Sequence, residues 1–221
     1  LGRSLILDVA EWAAIVSGET EEQFGAAEPA SALPAKERRR LPAFSRDVLR
    51  CALPLLRDRP QCPVVLSSPH GDMPSTVTLL TDIARRELLS PALFGLSVHN
   101  APAGALSICL DQPGDQTSLA GDEASLSAGL IETYARLATE EAQSVVLIYA
   151  EEQLPPIYAE LDEKAPGVFL AMQLRLARAT AASQIAVGLE RAGAVAVVRA
   201  LAAGLTQLRF PPPRWQVRAA A

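Results

Sequence analysis

Residues 144–150 read SVVLIYA, an apolar and largely β-branched run with no alternation of polar and apolar positions. A strand with one face in water alternates with period two. A run that is apolar at nearly every position needs cover on both faces. This stretch therefore predicts a buried strand sandwiched between helices, and it constrains the fold more than any other segment.

The remaining segments supply the layers. Residues 5–16 are an apolar opening stretch carrying Trp12, and residues 25–37, GAAEPASALPAKE, lack periodicity and read as a loop. Phe44, Val48, Cys51, Ala52 and Leu55 recur at threes and fours, predicting an amphipathic helix over 43–57 that Pro54 kinks or ends. PVVLSS at 63–68 reads as a buried strand, and a helix led by Thr76 follows, capped by Ser75. Residues 104–110, GALSICL, and 116–119, QTSL, read as two strands about the turn Asp111-Gln112-Pro113-Gly114. A helix over 124–138 buries Leu126, Leu130, Tyr134 and Leu137. Further strands are expected at 167–172 and 184–189, then a helix from about Val195 to Leu205 and a proline-rich end at Pro211, Pro212 and Pro213. Strands alternating with helices give an α/β layer architecture with a mostly buried sheet. With no internal repeat or linker, residues 1–221 read as a single domain.

Composition excludes several functions. Of 221 residues 49% are hydrophobic and 20% charged, with a net charge of -5, and the one basic run, KERRR at 36–40, includes an acid and reads as the solvated start of a helix. That argues against nucleic-acid binding. No apolar run approaches the roughly 20 residues that span a bilayer. Asp8 and Glu11 interrupt the first segment too early for a secretory signal. Cys51, Cys62 and Cys109 have no C-x-x-C spacing, and with only His70 and His99 beside them no metal site or cofactor is expected. Reduced, mostly buried thiols suit a cytoplasmic protein.

Candidate chemistry is sparse. Ser68, His70 and Asp72 fall within five residues of one loop, whereas a triad converges from separate segments; a loop-structuring role is expected. His99 and Asn100, in Ala/Gly-rich surroundings, read as hydrogen-bonded core groups. Cys109, placed mid-strand, would point into packing. The sharpest feature is Ala120-Gly121-Asp122-Glu123, a tight polar turn between a strand and a helix. Such turns often hold a nucleophile, and this one holds two acids and no cysteine.

Residues 90–151 resemble the N-terminal half of a β-ketoacyl synthase. SPALFGLSVHNAPAGALSI at 90–108, the turn Pro113-Gly114-Asp115, the helix 124–138 and SVVLIYAEE ending at Ala150-Glu151 follow that family's order of motifs without a gap. Upstream, ERRRLPAFSRDVLRCALPLL and PVVLSS are similar to its first helix and following strand. The resemblance implies α/β architecture, half of a thiolase-like fold with a mostly buried mixed sheet covered by helices. The segment 90–101 is most similar to short ketosynthase-like proteins of aryl-polyene clusters, described as chain-length-factor-like subunits.

The departures shape the functional expectation. Aligned without gaps, the nucleophile position falls on Glu123, and shifts of one or two places give Asp122 or Gly121. The family's two catalytic histidines lie in a second half, and His70 and His99 match neither motif. The resemblance thus implies a non-catalytic subunit. It would pair as a heterodimer with a full-length β-ketoacyl synthase and meet the acyl carrier protein only indirectly. Its pairing edge and tunnel-shaping surface would draw on Phe94, Val98, Asn100, Ser107, Cys109, Thr117 and Leu119. Glu123 would hydrogen-bond backbone amides of the turn or cap the helix. The alternatives are an acid/base enzyme using Glu123 or Asp122 on malonyl-type thioesters, and a purely structural protein on the same fold.

Overall fold

The computed structural model describes residues 5–111, 114–140, 142–158, 160, 165–177, 185–186 and 193–210. The run that anchors the sequence reading forms β5 (Val145–Glu151), buried at every position. Its side chains divide between two cores. Val145, Leu147 and Tyr149 enter one, and Val146, Ile148 and Ala150 the other. Burying each large aliphatic side chain contributes roughly 1.5–3 kcal/mol, so the absence of alternation marks a strand with no solvent face.

The sheet is built from β1 (Leu5–Ser17), β2 (Glu21–Gly25), β3 (Val64–Ser67), β4 (Gln116–Leu119), β5, β6 (Gly167–Leu176), β7 (Ile185–Ala186) and β8 (Gln207–Phe210). Their order is β4-β3-β5-β6-β1-β8-β7, with β2 added to β1. β4, β3 and β5 are mutually parallel, while β6 is antiparallel to β5 and to β1, so the sheet is mixed. Among the described strands β4 stands at the edge, hydrogen-bonded in the sheet to β3.

Helices cover both faces. On one lie α6 (Ser125–Ala138) and α7 (Gly193–Ala202), burying Leu126, Leu130 and Leu137 and Val197, Val198 and Leu201. Gly129 lets α6 sit close to the sheet, because a Cβ there would lie 2.7 Å from Leu147 Cδ1 and 3.0 Å from Ser67 Cβ. On the other face lie α2 (Ala43–Leu56) and α5 (Ala101–Leu110), with Phe44, Val48, Leu49, Ala103 and Leu106 in the second core. α1 (Ala35–Arg40), α3 (Met73–Arg85) and α4 (Pro91–Ser97) complete the described helices. No single described helix is long and apolar enough to cross a membrane.

Pro54 neither ends nor interrupts α2, which runs on to Leu56. Proline removes the hydrogen bond to the carbonyl four residues back, here Arg50. That carbonyl accepts instead from Glu28 N–H at 3.1 Å, while Arg50 Nε donates to Glu28 O at 2.8 Å.

Three sequence expectations are corrected. Residues 104–110 are the greater part of α5, so Cys109 is on a helix and half-buried. GALSICL is short and apolar throughout, and periodicity does not separate helix from strand in such a run. α3 begins at Met73 with Asp72 as its cap, and Ser75 is the donor: its N–H and Oγ–H reach Asp72 Oδ1 and Oδ2 at 3.0 and 2.7 Å. The basic run and its flank form a separate helix, α1, and residues 30–32 make a 3-10 turn in what read as a loop. Of the strand expected at 184–189 only Ile185–Ala186 is described, and Pro211, Pro212 and Pro213 lie outside the described residues.

Candidate functional site

The C-terminal ends of the parallel strands β3, β4 and β5 converge on a pocket of about 160 Å³ lined by Pro69, His70, Asp122, Glu123, Tyr149, Glu151 and Leu154. Crevices at such strand ends are where open parallel sheets receive ligands. Tyr149 Oη donates to Glu151 Oε2 at 2.5 Å, and Glu151 is only 5% exposed. The following residue, Glu152, has its carboxyl pushed up to about 7, by burial first and then by the neighbouring carboxylates of Asp72 and Asp47.

The turn after β4 is held by a residue that the sequence reading passed over. Ser125 is fully buried; its Oγ accepts from Gly121 N–H at 3.0 Å and donates to the carbonyl of Asp122 at 2.6 Å. Ser67 at the end of β3 donates to Ser125 O at 2.6 Å, fastening the turn to the neighbouring strand. Within this clamp Asp122 adopts φ +51°, a left-handed conformation that Asp tolerates better than most residues. Asp122 and Glu123 are exposed. Glu123 neither caps α6 nor bonds the turn's amides: the helix N-cap is Ala124 without a side-chain bond, and among the described residues Glu123 makes no hydrogen bond. The only signal for Ser125 was its place at the first turn of the predicted helix.

The loop between β3 and α3 is self-bonded. Ser68 Oγ accepts from Gly71 N–H at 2.9 Å and Asp72 caps α3, as a loop-structuring role requires, while His70 is exposed at the pocket. His99 is half-buried, with Nε2 3.0 Å from Leu119 O at the end of β4. Asn100, expected in the core, is exposed at the start of α5.

The other candidate residues fall on and around β4. Ser107 Oγ accepts from Gln116 Nε2 at 2.6 Å, tying α5 to the edge strand, and Thr117 Oγ1 accepts from Arg136 Nη2 at 2.5 Å, tying α6 to it. Phe94 and Val98 on and after α4 are 60% and 40% exposed, and Ile108 on α5 is 57% exposed. Val98, Asn100 and Ile108 help line a shallow groove of about 480 Å³ between α4 and α5. The thiol of Cys109 is pushed up by burial, away from thiolate character. Among the described residues no group of three or more His, Cys, Asp or Glu is placed to hold a metal ion.

Comparison with known proteins identifies the family. The sequence profile described as "Beta-ketoacyl synthase, N-terminal domain" matches residues 10–207. The chain belongs to this family. No curated protein sequence matches.

Among solved structures, the ketosynthase (ApeO) in complex with its chain length factor (ApeC) from Xenorhabdus doucetiae matches at TM-score 0.69 and 24% identity, over 81% of this chain and 85% of that one. The ishigamide ketosynthase/chain length factor matches at TM-score 0.60 and 15% identity, over 79% of this chain and 63% of that one. A type II polyketide synthase acyl-carrier protein in complex with its ketosynthase bound to the hexaketide (AntDE:AntF) gives TM-score 0.59 and 12% identity, over 79% and 63%. At these identities the likeness is one of fold: the mixed sheet and its helices are those of the thiolase-like ketosynthases.

Proposed function

We propose that this chain is a non-catalytic ketosynthase-like subunit, a chain length factor. It pairs with a full-length β-ketoacyl synthase of a type II, aryl-polyene-like pathway and shapes the partner's acyl tunnel. The observation that carries this reading is the turn after β4. It keeps a clamped, left-handed geometry at strand ends, yet offers carboxylates where acyl transfer needs a thiolate. Cys51, Cys62 and Cys109 lie elsewhere, on α2, before β3 and on α5.

The pairing edge is β4. It is open to a further strand among the described residues; α5, bonded to it through Ser107 and Gln116, exposes Ile108, and α4 with the residue after it exposes Phe94 and Val98. Open edges and apolar patches of this kind call for a partner. The fold neighbours include complexes of ketosynthases with chain length factors, and the first of them matches over similar shares of both chains. Phe94 and Val98 are the side chains available to floor a partner's tunnel. The acyl carrier protein then meets this chain only through the ketosynthase.

Co-expression tests the reading. With a ketosynthase encoded beside it, the chain should elute as a 1:1 complex. Alone, it should form no acyl-enzyme with an acyl-carrier thioester by intact mass. A monomer that ignores that ketosynthase, or a stable acyl adduct on Cys51, Cys62 or Cys109 that supports condensation, would refute it.

A further inference from the structure

The open edge of β4 is framed by carboxylates. Asp115 precedes the strand and Asp122 and Glu123 follow it, all exposed, with Glu132 on the adjacent α6. The cation beside them, Arg136, is 15% exposed and already engaged by Asp115 at 2.5 Å, Glu132 at 2.8 Å and Thr117. Among the described residues, no other strand pairs with the outer side of this edge. In a parallel pair each residue turns its N–H and C=O to the same neighbour. The carbonyls of Asp115 and Leu119 face β3, accepting from Val64 and Ser68, so Gln116 and Ser118 face outward.

A second copy of this chain fits this edge poorly. Two β4 strands paired antiparallel about a two-fold axis would lay the start of one beside the end of the other. Asp115 of each copy would then approach the Asp122-Glu123 turn of its mate. A four-residue strand is only about 13 Å long, so these carboxylates would repel one another at a distance close to the screening length of roughly 8 Å at physiological salt. Like charges placed opposite across a strand pair are destabilising.

We infer that the β4 edge discriminates against its own copy and accepts a non-identical strand flanked by lysine or arginine. The charged turn after β4 thereby acts as a pairing determinant. This rests on the reading of β4 as the pairing edge and adds the chemistry of the partner.

The test uses the intact chain and a charge-reversed form carrying Asp115→Lys, Asp122→Asn and Glu123→Lys, with Asn chosen to tolerate the left-handed backbone. Sedimentation equilibrium at about 50 mM salt should find each form alone monomeric. An equimolar mixture should associate at least about ten-fold more tightly than either form with itself, weakening as salt rises toward about 0.5 M. Circular dichroism checks that the reversed form is folded. A neutral form, Asp115→Asn, Asp122→Asn and Glu123→Gln, should self-associate without any added lysine. Wild-type dimers as tight as the mixture would overturn the inference, as would a mixture and a neutral form that both stay monomeric. If the latter occurs while the ketosynthase complex still forms, only this account falls and the subunit reading stands. If the mixture pairs but no ketosynthase binds, the subunit reading falls alone.

Discussion

The guanidinium of Arg50 holds the carboxylate of Glu21 through two hydrogen bonds, Nη2 to Oε1 at 2.6 Å and Nη1 to Oε2 at 3.0 Å. The same side chain reaches Asp47 Oδ1 at 2.8 Å and Glu28 O at 2.8 Å, joining the β1–β2 hairpin and its following loop to α2. Arg50 is nearly buried, so this is the polar junction on which the second core's helix is registered. Removing it with Arg50→Ala should cost on the order of 3 kcal/mol, because Asp47 and the Glu28 carbonyl lose their donor together. Arg50→Lys should recover only part of that, since one ammonium cannot reach three acceptors in the fork geometry. Urea denaturation of both variants measures the difference.

The same pair predicts an acid limb. Arg50's hydrogen bond holds Glu21 down from its usual 4.5 to about 2. A depressed folded value means that the contribution is present above the ordinary value and is lost as pH falls toward the folded one. Stability should therefore decline between about pH 4.5 and pH 2 in part through Glu21. Glu21→Gln should flatten that decline, by on the order of 1 kcal/mol after allowing for the carboxylate's partial exposure. An unchanged acid titration in the variant would refute the assignment.

Glu152 carries the opposite sign. Its carboxyl is pushed up to about 7, so the folded chain holds a proton that the unfolded chain releases above the usual 4.5. The stabilising share is present below about 4.5 and is lost as pH rises through about 7. Glu152→Gln, which cannot ionise, should be more stable than wild type at pH 8, by on the order of 1 kcal/mol once solvent screening is allowed for. At pH 4 the two should be alike. Thermal melts at the two pH values check this.

Ser125→Ala should unfasten the turn after β4. Gly121 N–H loses its acceptor and the Asp122 carbonyl one of its two donors, keeping the backbone N–H of residue 125, a loss of about 1–3 kcal/mol. Because the clamp fixes the turn beside the proposed pairing edge, the variant should also bind a ketosynthase more weakly than its stability loss alone explains. Calorimetric titration beside a denaturation curve separates the two effects.

Glu123→Gln should be nearly silent, within about 0.5 kcal/mol, since Glu123 is exposed and unbonded. If Glu123 were an acid/base, turnover in the reconstituted complex would fall by about 10²-fold or more. Phe94→Ala, at a side chain 60% exposed, should leave stability within about 1 kcal/mol. It should lengthen the product without abolishing it. Product analysis of both variants with the same ketosynthase distinguishes a shaped tunnel from a catalytic group.

What the sequence disclosed follows from how far each interaction reaches along the chain. β5 was legible because its burial on both faces is written in seven consecutive side chains, and α2 because its apolar stripe recurs at helical spacing. α5 was not. Its inner residues Pro102, Ala103, Ala105 and Leu106 pack against the core while its outer side shows Gly104 and Ile108, so no polar face announces the helical period. Asp72 and Ser75 were both visible as capping types, but which one capped depended on where the β3 strand let the helix begin. Ser125 was invisible as a clamp because its partners are backbone groups whose placement depends on β3, β4 and α6 meeting. The turn itself was read from four residues, and its lack of a thiol needed no structure.

The position of β1 has a kinetic meaning. It precedes the other described strands, and it sits in the middle of the sheet between β6 and β8, with partners such as Gly167 opposite Ser17. Contacts separated by roughly 150 residues make folding slow. On the ribosome β1 can pair early only with β2, through Ala13–Ser17, while its β6 and β8 edges wait until most of the remaining chain has emerged. For a protein of this topology, the interval between synthesis and closure of the sheet is when an expressing cell is most apt to lose it to aggregation. Slower translation or added chaperone should therefore raise the soluble yield more than any change to the finished core.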